Sequence, residues 1–100
     1  MATQADIDIG ATALKNYVMQ IDGWEANFVP WGTYESGSQL VLDAWDSAGQ
    51  ADNPDALDLK KASCGMALYK AISNAGYASR VTADQCAAGA NAVLAACRGI

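Results

Sequence analysis

The spacing of apolar residues along the chain predicts four helices. In the first, from about Asp6 to Asp22, apolar side chains recur at intervals of three and four residues, which places them on one face. Those positions are Ile7, Ala11, Leu14, Val18 and Ile21. Gly23 fits the left-handed position that follows many helix ends, with Trp24 as the apolar residue after it.

The second predicted helix runs from Ser36 or Ser38 to Ala48 and is amphipathic. Its apolar face consists of Leu40, Val41, Ala44, Trp45 and Ala48. Its opposite, polar stripe consists of Gln39, Asp43, Asp46 and Gln50. This pattern predicts a helix that packs on one side only, with Trp45 in the core.

The third helix has the clearest local signals. Asn53 is a favoured N-cap, Pro54 suits the first helical position, and Gly76 followed by Tyr77 predicts the end. Apolar residues occupy two sides of it: Leu57, Cys64, Leu68, Ala71 and Ala75 on one, and Leu59, Ala62, Met66 and Tyr69 on the other. We therefore expect helix 3 to have neighbours on both sides and to lie centrally.

The fourth helix begins at Thr82, where Thr82 and Gln85 match a capping box and Val81 and Cys86 a hydrophobic staple. Gly99 marks its end. Its apolar stripe consists of Cys86, Ala90, Val93, Leu94 and Cys97, and its back is covered by Ala88, Ala92, Ala95 and Ala96. The small residues on that back would allow a second close neighbour.

Taken together, the elements predict an all-α fold. Residues 1–100 form one helical domain, a compact bundle of about four helices, and an aromatic-rich connection at 23–34 joins helices 1 and 2. There is no internal repeat and no hairpin signal. We expect no membrane-spanning segment, because no apolar run approaches the length that spanning requires. The first ten residues do not resemble a secretory signal, so we expect a cytoplasmic location.

The residue types present argue against catalysis. The chain contains no histidine, which removes the commonest general base and the commonest metal ligand. Its three cysteines lack CxxC spacing, and Cys86 and Cys97 would lie roughly 16 Å apart along one helix, too far for a disulfide. Either of them could still meet Cys64. We expect buried free thiols, no metal, no cofactor and no enzymatic activity.

Charge is divided unevenly between the two parts of the chain. Residues 1–58 contain ten of the 11 acidic residues and one of the six basic ones, and the net charge of the whole chain is −5. Carboxylates in the first turns of helices 1 and 3 are favoured by the helix dipole, as is Arg98 at the end of helix 4. The acidic and basic parts could also face each other within the domain.

The aromatic connection and helix 2 supply the candidate binding residues. Six of the eight aromatic residues lie between Tyr17 and Trp45, and the acidic residues that the helix dipole does not explain lie among or beside them. The candidates for partner binding are Phe28, Trp31, Tyr34, Glu35, Asp43 and Asp46. Aromatic residues surrounded by carboxylates suit a basic protein or nucleoprotein surface and oppose direct nucleic-acid binding.

Two alternatives remain open for these residues. The aromatic residues could instead close over the core, and the acids could pair with Lys60, Lys61 or Lys70 inside the domain. The overall profile is that of a small inhibitor, a toxin-neutralising immunity protein or a phage-encoded antagonist of host defence. The other hypothesis is a homo-oligomeric structural or assembly component, such as a virion assembly protein, with a homodimer as its simplest form.

Overall fold

The ends of the helices follow from local side-chain chemistry. In the computed structural model, which describes residues 2–21, 29–77 and 81–100, the helices are α1 (Gln4–Val18), α2 (Trp31–Ser47), α3 (Pro54–Asn74) and α4 (Ala83–Arg98). The Asn53 side chain accepts the Ala56 N–H at 2.8 Å, and Pro54 follows at the first position of α3. Thr82 and Gln85 form the predicted capping box.

The predicted stop of α3 is also confirmed. Gly76 has a φ of +91°, and the Tyr77 N–H donates to the Ile72 carbonyl at 3.0 Å while the Gly76 N–H donates to Ser73. This pair of bonds is the Schellman arrangement, which satisfies carbonyls that the helix itself leaves unpaired. Gly99 ends α4 with a φ of +69°.

α1 begins and ends earlier than predicted. Thr3 is its N-cap and accepts the Asp6 N–H at 3.2 Å, so the helix starts at Gln4 rather than at Asp6. It ends at Val18, not Asp22, after which the N–H groups of Gln20 and Ile21 donate to carbonyls three residues back. The predicted stop at Gly23 and Trp24 falls outside the described residues.

α2 begins at Trp31, five to seven residues before the predicted start. The Pro30 carbonyl accepts the Thr33 N–H at 3.0 Å and so opens the helix. Gly37 and Ser38, which suggest a loop by composition, lie in the helix interior and are buried against neighbouring helices. The helix is therefore longer because tertiary packing outweighs the low helix propensity of these two residues.

The apolar faces also differ from prediction in α2 and α3. Leu42 is fully buried while Leu40 is 39% exposed, so the buried face of α2 is rotated from the predicted one. Trp45 is only half-buried at the edge of the core. On α3 the second apolar side, with Leu59 and Met66, has no neighbour in the described structure, so α3 is not central.

The four helices form an antiparallel bundle in which each helix packs mainly on two others, with a smaller diagonal contact between α2 and α4. α2 lies between α1 and α3, and α4 closes the ring between α3 and α1, so that α1/α2 and α3/α4 form opposite sides. The core contains the largest fully buried apolar side chains, which are Val41, Leu42, Cys64, Leu68, Cys86, Val93 and Leu94. The described residues include no β-strand. The predicted all-α bundle of about four helices is therefore confirmed.

Candidate protein-binding surfaces

A ridge of side chains runs along the outer surface of α2. Trp31, Glu35, Gln39 and Asp43 follow one another at intervals of four residues, the spacing that keeps side chains on one side of a helix. Trp31 opens the ridge with 42% of its surface exposed, and its ring leans on Tyr34 with ring centroids 6.2 Å apart. The ridge therefore combines an accessible aromatic ring with two carboxylates.

A neutral amide joins this ridge to α1. The Gln4 Nε2 donates to Asp8 Oδ1 at 2.9 Å and to Glu35 Oε2 at 3.2 Å. One nitrogen thus holds two like-charged groups close together without neutralising either of them. Neither Asp8 nor Glu35 forms an ion pair with any residue that the structure describes.

Asp43 lies at the far end of the ridge. Its Oδ1 accepts a long 3.5 Å bond from the Ala2 N–H, and no described Lys or Arg side chain forms a salt bridge with it. We call Asp8, Glu35 and Asp43 the carboxylate face. The basic groups that the sequence offered as internal partners for such acids, Lys60 among them, do not neutralise this face.

Asp46, by contrast, is paired inside the domain. Arg98 donates through Nε and Nη2 to the two carboxylate oxygens at 3.1 and 2.9 Å, and its Nη1 lies 3.3 Å from Asp6 Oδ2. These hydrogen bonds hold the pKa of Asp46 below its usual value and raise that of Arg98. Arg98 therefore ties the end of α4 to α1 and α2 at once, and Asp46 has a structural role.

Lys60 is engaged in a different way. Its Nζ donates to the Gly49 carbonyl at 2.6 Å and lies 3.8 Å from the centre of the Trp45 ring. The contact is a cation–π interaction that holds the α2–α3 turn against α3. The lysine thus stabilises the connection.

The structure separates the six candidate binding residues. Trp31, Glu35 and Asp43 lie together on one ridge, where Trp31 is exposed and the two carboxylates are half-buried, and Asp46 lies beside Arg98. Tyr34 is 2% exposed and belongs to the core, where burial and the nearby Tyr77 raise its pKa. Phe28 lies outside the described residues.

A second accessible surface is apolar and lies on the opposite side of the bundle. Leu59 and Met66 are 70% and 74% exposed, and Tyr69 is 41% exposed. Beside them, α3 and α4 enclose an open groove of about 670 Å³. The groove is lined mainly by Ala62, Gly65, Met66, Tyr69, Ala83 and Ala87, with Lys70 and Asp84 at its edges. The apolar stripe of α3 was visible in the sequence, but its exposure was not.

The three thiols are free, and their surroundings make them poor nucleophiles. Cys64 and Cys86 are buried, and burial raises the pKa of the Cys86 thiol to about 11. Burial also raises the pKa of Cys97, whose thiol donates to the Asp6 carbonyl at 3.2 Å. A protonated, buried thiol is a weak nucleophile and a weak metal ligand. Among the described residues, no three acidic or cysteine side chains cluster as a metal site.

Comparisons with known proteins add no relative. The chain matches no family model, no curated protein and no solved structure. None of the helices in the described part of the chain has the length and apolar character needed to cross a bilayer. The function is therefore inferred from the two accessible surfaces described above.

Proposed function

We propose that this protein is a small, non-catalytic binding protein whose carboxylate face occupies a basic surface of a larger protein or nucleoprotein. The observation that carries the proposal is the pairing of Asp8 and Glu35 on the Gln4 amide. Two like charges held close together destabilise a fold by their repulsion. A positively charged group of a partner is attracted to both carboxylates and offsets their mutual repulsion.

The ridge on α2 offers both components of a specific interface. Carboxylates accelerate encounter with a basic partner and set its orientation, whereas a buried aromatic anchor slows dissociation. Trp31 is the accessible aromatic residue one helical turn from Glu35. In the proposed complex its ring is covered by the partner, either against an apolar pocket or beneath an arginine side chain.

The proposed surface differs from the set of candidates expected from the sequence, because it excludes Asp46 and includes Asp8. The two hydrogen bonds from Arg98 commit Asp46 to the fold, so reversing its charge tests stability and not binding. Asp8 joins because the Gln4 amide holds it beside Glu35. Non-catalytic action is consistent with a chain that lacks histidine. Cytoplasmic inhibition of the immunity-protein or phage anti-defence type is our proposal for its biological role.

Affinity capture with matched charge variants tests this function. The immobilised wild-type protein is exposed to an extract of the source organism, alongside Glu35→Lys/Asp43→Lys and a control, Asp52→Lys/Asp58→Lys. The control makes the same charge change at exposed aspartates of the α2–α3 turn and early α3. We expect one basic protein or nucleoprotein to bind the wild type and the control but not the face variant, and to be released by salt.

The result that would refute the proposal is equally specific. If both double variants retain the same partner, or lose it to the same degree, the carboxylate face does not carry the binding. Once a partner is identified, Trp31→Ala should raise its dissociation rate with little change in association rate. Circular dichroism spectra that match the wild type would show that these variants remain folded.

A second function, a homo-oligomeric structural or assembly component, is favoured by a separate observation. Leu59 and Met66 are largely exposed on one face of α3. Large exposed apolar side chains beside a groove are typical of surfaces that are covered by another chain. The two functions use opposite sides of the bundle, and one molecule can perform both.

A further inference from the structure

The two walls of the α3/α4 groove differ in size and in charge. The α3 wall carries large side chains, Met66 and Tyr69, and ends at Lys70. The α4 wall carries only the small side chains of Ala83 and Ala87 beside Asp84. One wall therefore presents knobs and a positive charge, and the other presents shallow holes and a negative charge.

The complementary features lie at the same level of the bundle. α3 and α4 approach closely where a Cβ added to Gly65 would lie 3.1 Å from the Ala87 Cα. The helices are antiparallel, so Lys70, five residues after Gly65, and Asp84, three residues before Ala87, lie towards the same end. Both are exposed, and neither forms a salt bridge with a residue in the described ranges.

This arrangement is complementary to itself under a two-fold rotation. A two-fold axis that runs along the groove, parallel to both helices, places α3 of one molecule on α4 of the other at the same height. Met66 and Tyr69 then face the alanines of the partner copy, and Lys70 faces the partner copy's aspartate at position 84. The operation repeats each contact twice, as in any isologous interface.

We propose that the α3/α4 groove is the contact surface of a two-fold homodimer. Self-complementary charge and size favour a second copy over an unrelated chain, since both halves of the match lie on one molecule. The dimer buries the exposed apolar side chains that border the groove. It leaves the carboxylate faces on its two outer sides, because α1/α2 lies opposite α3/α4. The proposal therefore stands independently of the basic partner proposed above.

A charge-exchange experiment tests the symmetry as well as the contact. Lys70→Glu alone places like charges opposite each other twice, and so does Asp84→Lys alone. In a mixture of the two variants, however, both contacts of the mixed dimer pair opposite charges. By sedimentation equilibrium we expect a dimer for the wild type, dissociation constants at least about tenfold higher for each single variant, and recovery in the mixture.

A matched pair of apolar substitutions provides the control. Met66→Ser removes an apolar side chain from the groove. Ile9→Ser removes an apolar side chain from α1, where Ile9 is 51% exposed. We expect the first to weaken the dimer and the second to leave it unchanged, with circular dichroism showing that both fold. A wild-type protein that stays monomeric at all concentrations overturns the proposal. A dimer that is indifferent to Met66→Ser, or single variants that the mixture does not rescue, also overturns it.

Discussion

Leu68 should be among the side chains on which the bundle depends most, because together with Leu14 it fills space that two glycines leave open. A Cβ added to Gly37 on α2 would lie 2.8 Å from Leu68 Cδ1, and one added to Gly89 on α4 would lie 3.0 Å from Cδ2. Each methyl group of Leu68 therefore lies over a glycine of a facing helix, and a methyl group of Leu14 on α1 borders each of these two glycines as well. The residue is buried in the centre of the core.

The expected cost of Leu68→Ala follows from this geometry. Truncating a buried leucine costs about 2–5 kcal/mol, with the larger values where the surroundings cannot collapse into the cavity. The glycines have no side chains that could move in, but Leu14 borders both of them and can fill part of the cavity, so we expect about 3 kcal/mol. A domain of this size has a free energy of unfolding of about 5–15 kcal/mol, so the variant should fold but with a small margin.

The same geometry predicts that the effect of Gly37→Ala on the free energy of unfolding depends on whether residue 68 is leucine or alanine. In the wild type the new methyl group overlaps Leu68, and overpacking of about 1–3 kcal/mol outweighs the gain of about 1 kcal/mol in helix propensity. In the Leu68→Ala background this overlap is removed and only the 3.1 Å approach to Leu14 Cδ2 remains, so Gly37→Ala should there be neutral or stabilise by up to about 1 kcal/mol. The two residues should therefore show a coupling free energy of about 1–2 kcal/mol.

Urea unfolding of the wild type, both single variants and the double variant measures this coupling. The slope of free energy against urea must be the same for all four proteins if the comparison is to report stability alone. If Gly37→Ala has the same effect in both backgrounds, Leu68 does not fill the space beside Gly37. If Leu68→Ala costs less than about 1 kcal/mol, the inward face of α3 is wrongly assigned.

Four further predictions concern single groups. Ser38 has a buried hydroxyl without a hydrogen-bond partner, so Ser38→Ala should raise the free energy of unfolding by about 1 kcal/mol in urea titrations. Trp45→Ala should lower the urea midpoint, since it removes a half-buried ring and its Lys60 contact; an unchanged midpoint would contradict this. Because the pKa of Asp46 is lowered in the folded state, its contribution to stability is present at neutral pH and is lost as the pH falls below about 4. Asp46→Asn should therefore unfold more easily at pH 7 and lose less stability on acidification, whereas parallel pH curves would refute the assignment. Cys64 and Cys86 should resist alkylation until the protein unfolds, and neither a reductant nor a chelator should change Tm.

The helix ends were predictable where their chemistry is contained within a few residues. Asn53 and Pro54 define the start of α3, Thr82 and Gln85 that of α4, and each pair works through bonds that span three residues. Such signals act independently of what the helix later packs against. The start of α2 was not predictable in this way, because its first residues include no side chain that caps the helix.

Features that depend on distant residues escaped the sequence for a physical reason. Gly37 and Ser38 lower helix propensity locally, and only the close approach of other helices explains why they are helical. Likewise, the ion pair between Asp46 and Arg98 joins residues 52 positions apart. A stripe of apolar residues such as that of α3 indicates that burial of that face is favourable. It does not indicate whether the residues that bury it belong to this chain or to another.

The uneven division of charge now has a structural interpretation in two parts. Arg98 reaches across from α4 to Asp6 and Asp46, so at this end of the bundle the acidic and basic parts of the chain do face each other and stabilise the fold. Asp8 on α1 and Glu35 on α2 form no salt bridge with a described residue and share the neutral amide of Gln4. A basic residue at position 4 would neutralise both carboxylates, but it would stand in the first turn of α1, where the helix dipole disfavours a positive charge. The glutamine keeps the two charges close together and available, which is the property that a surface for a basic partner requires.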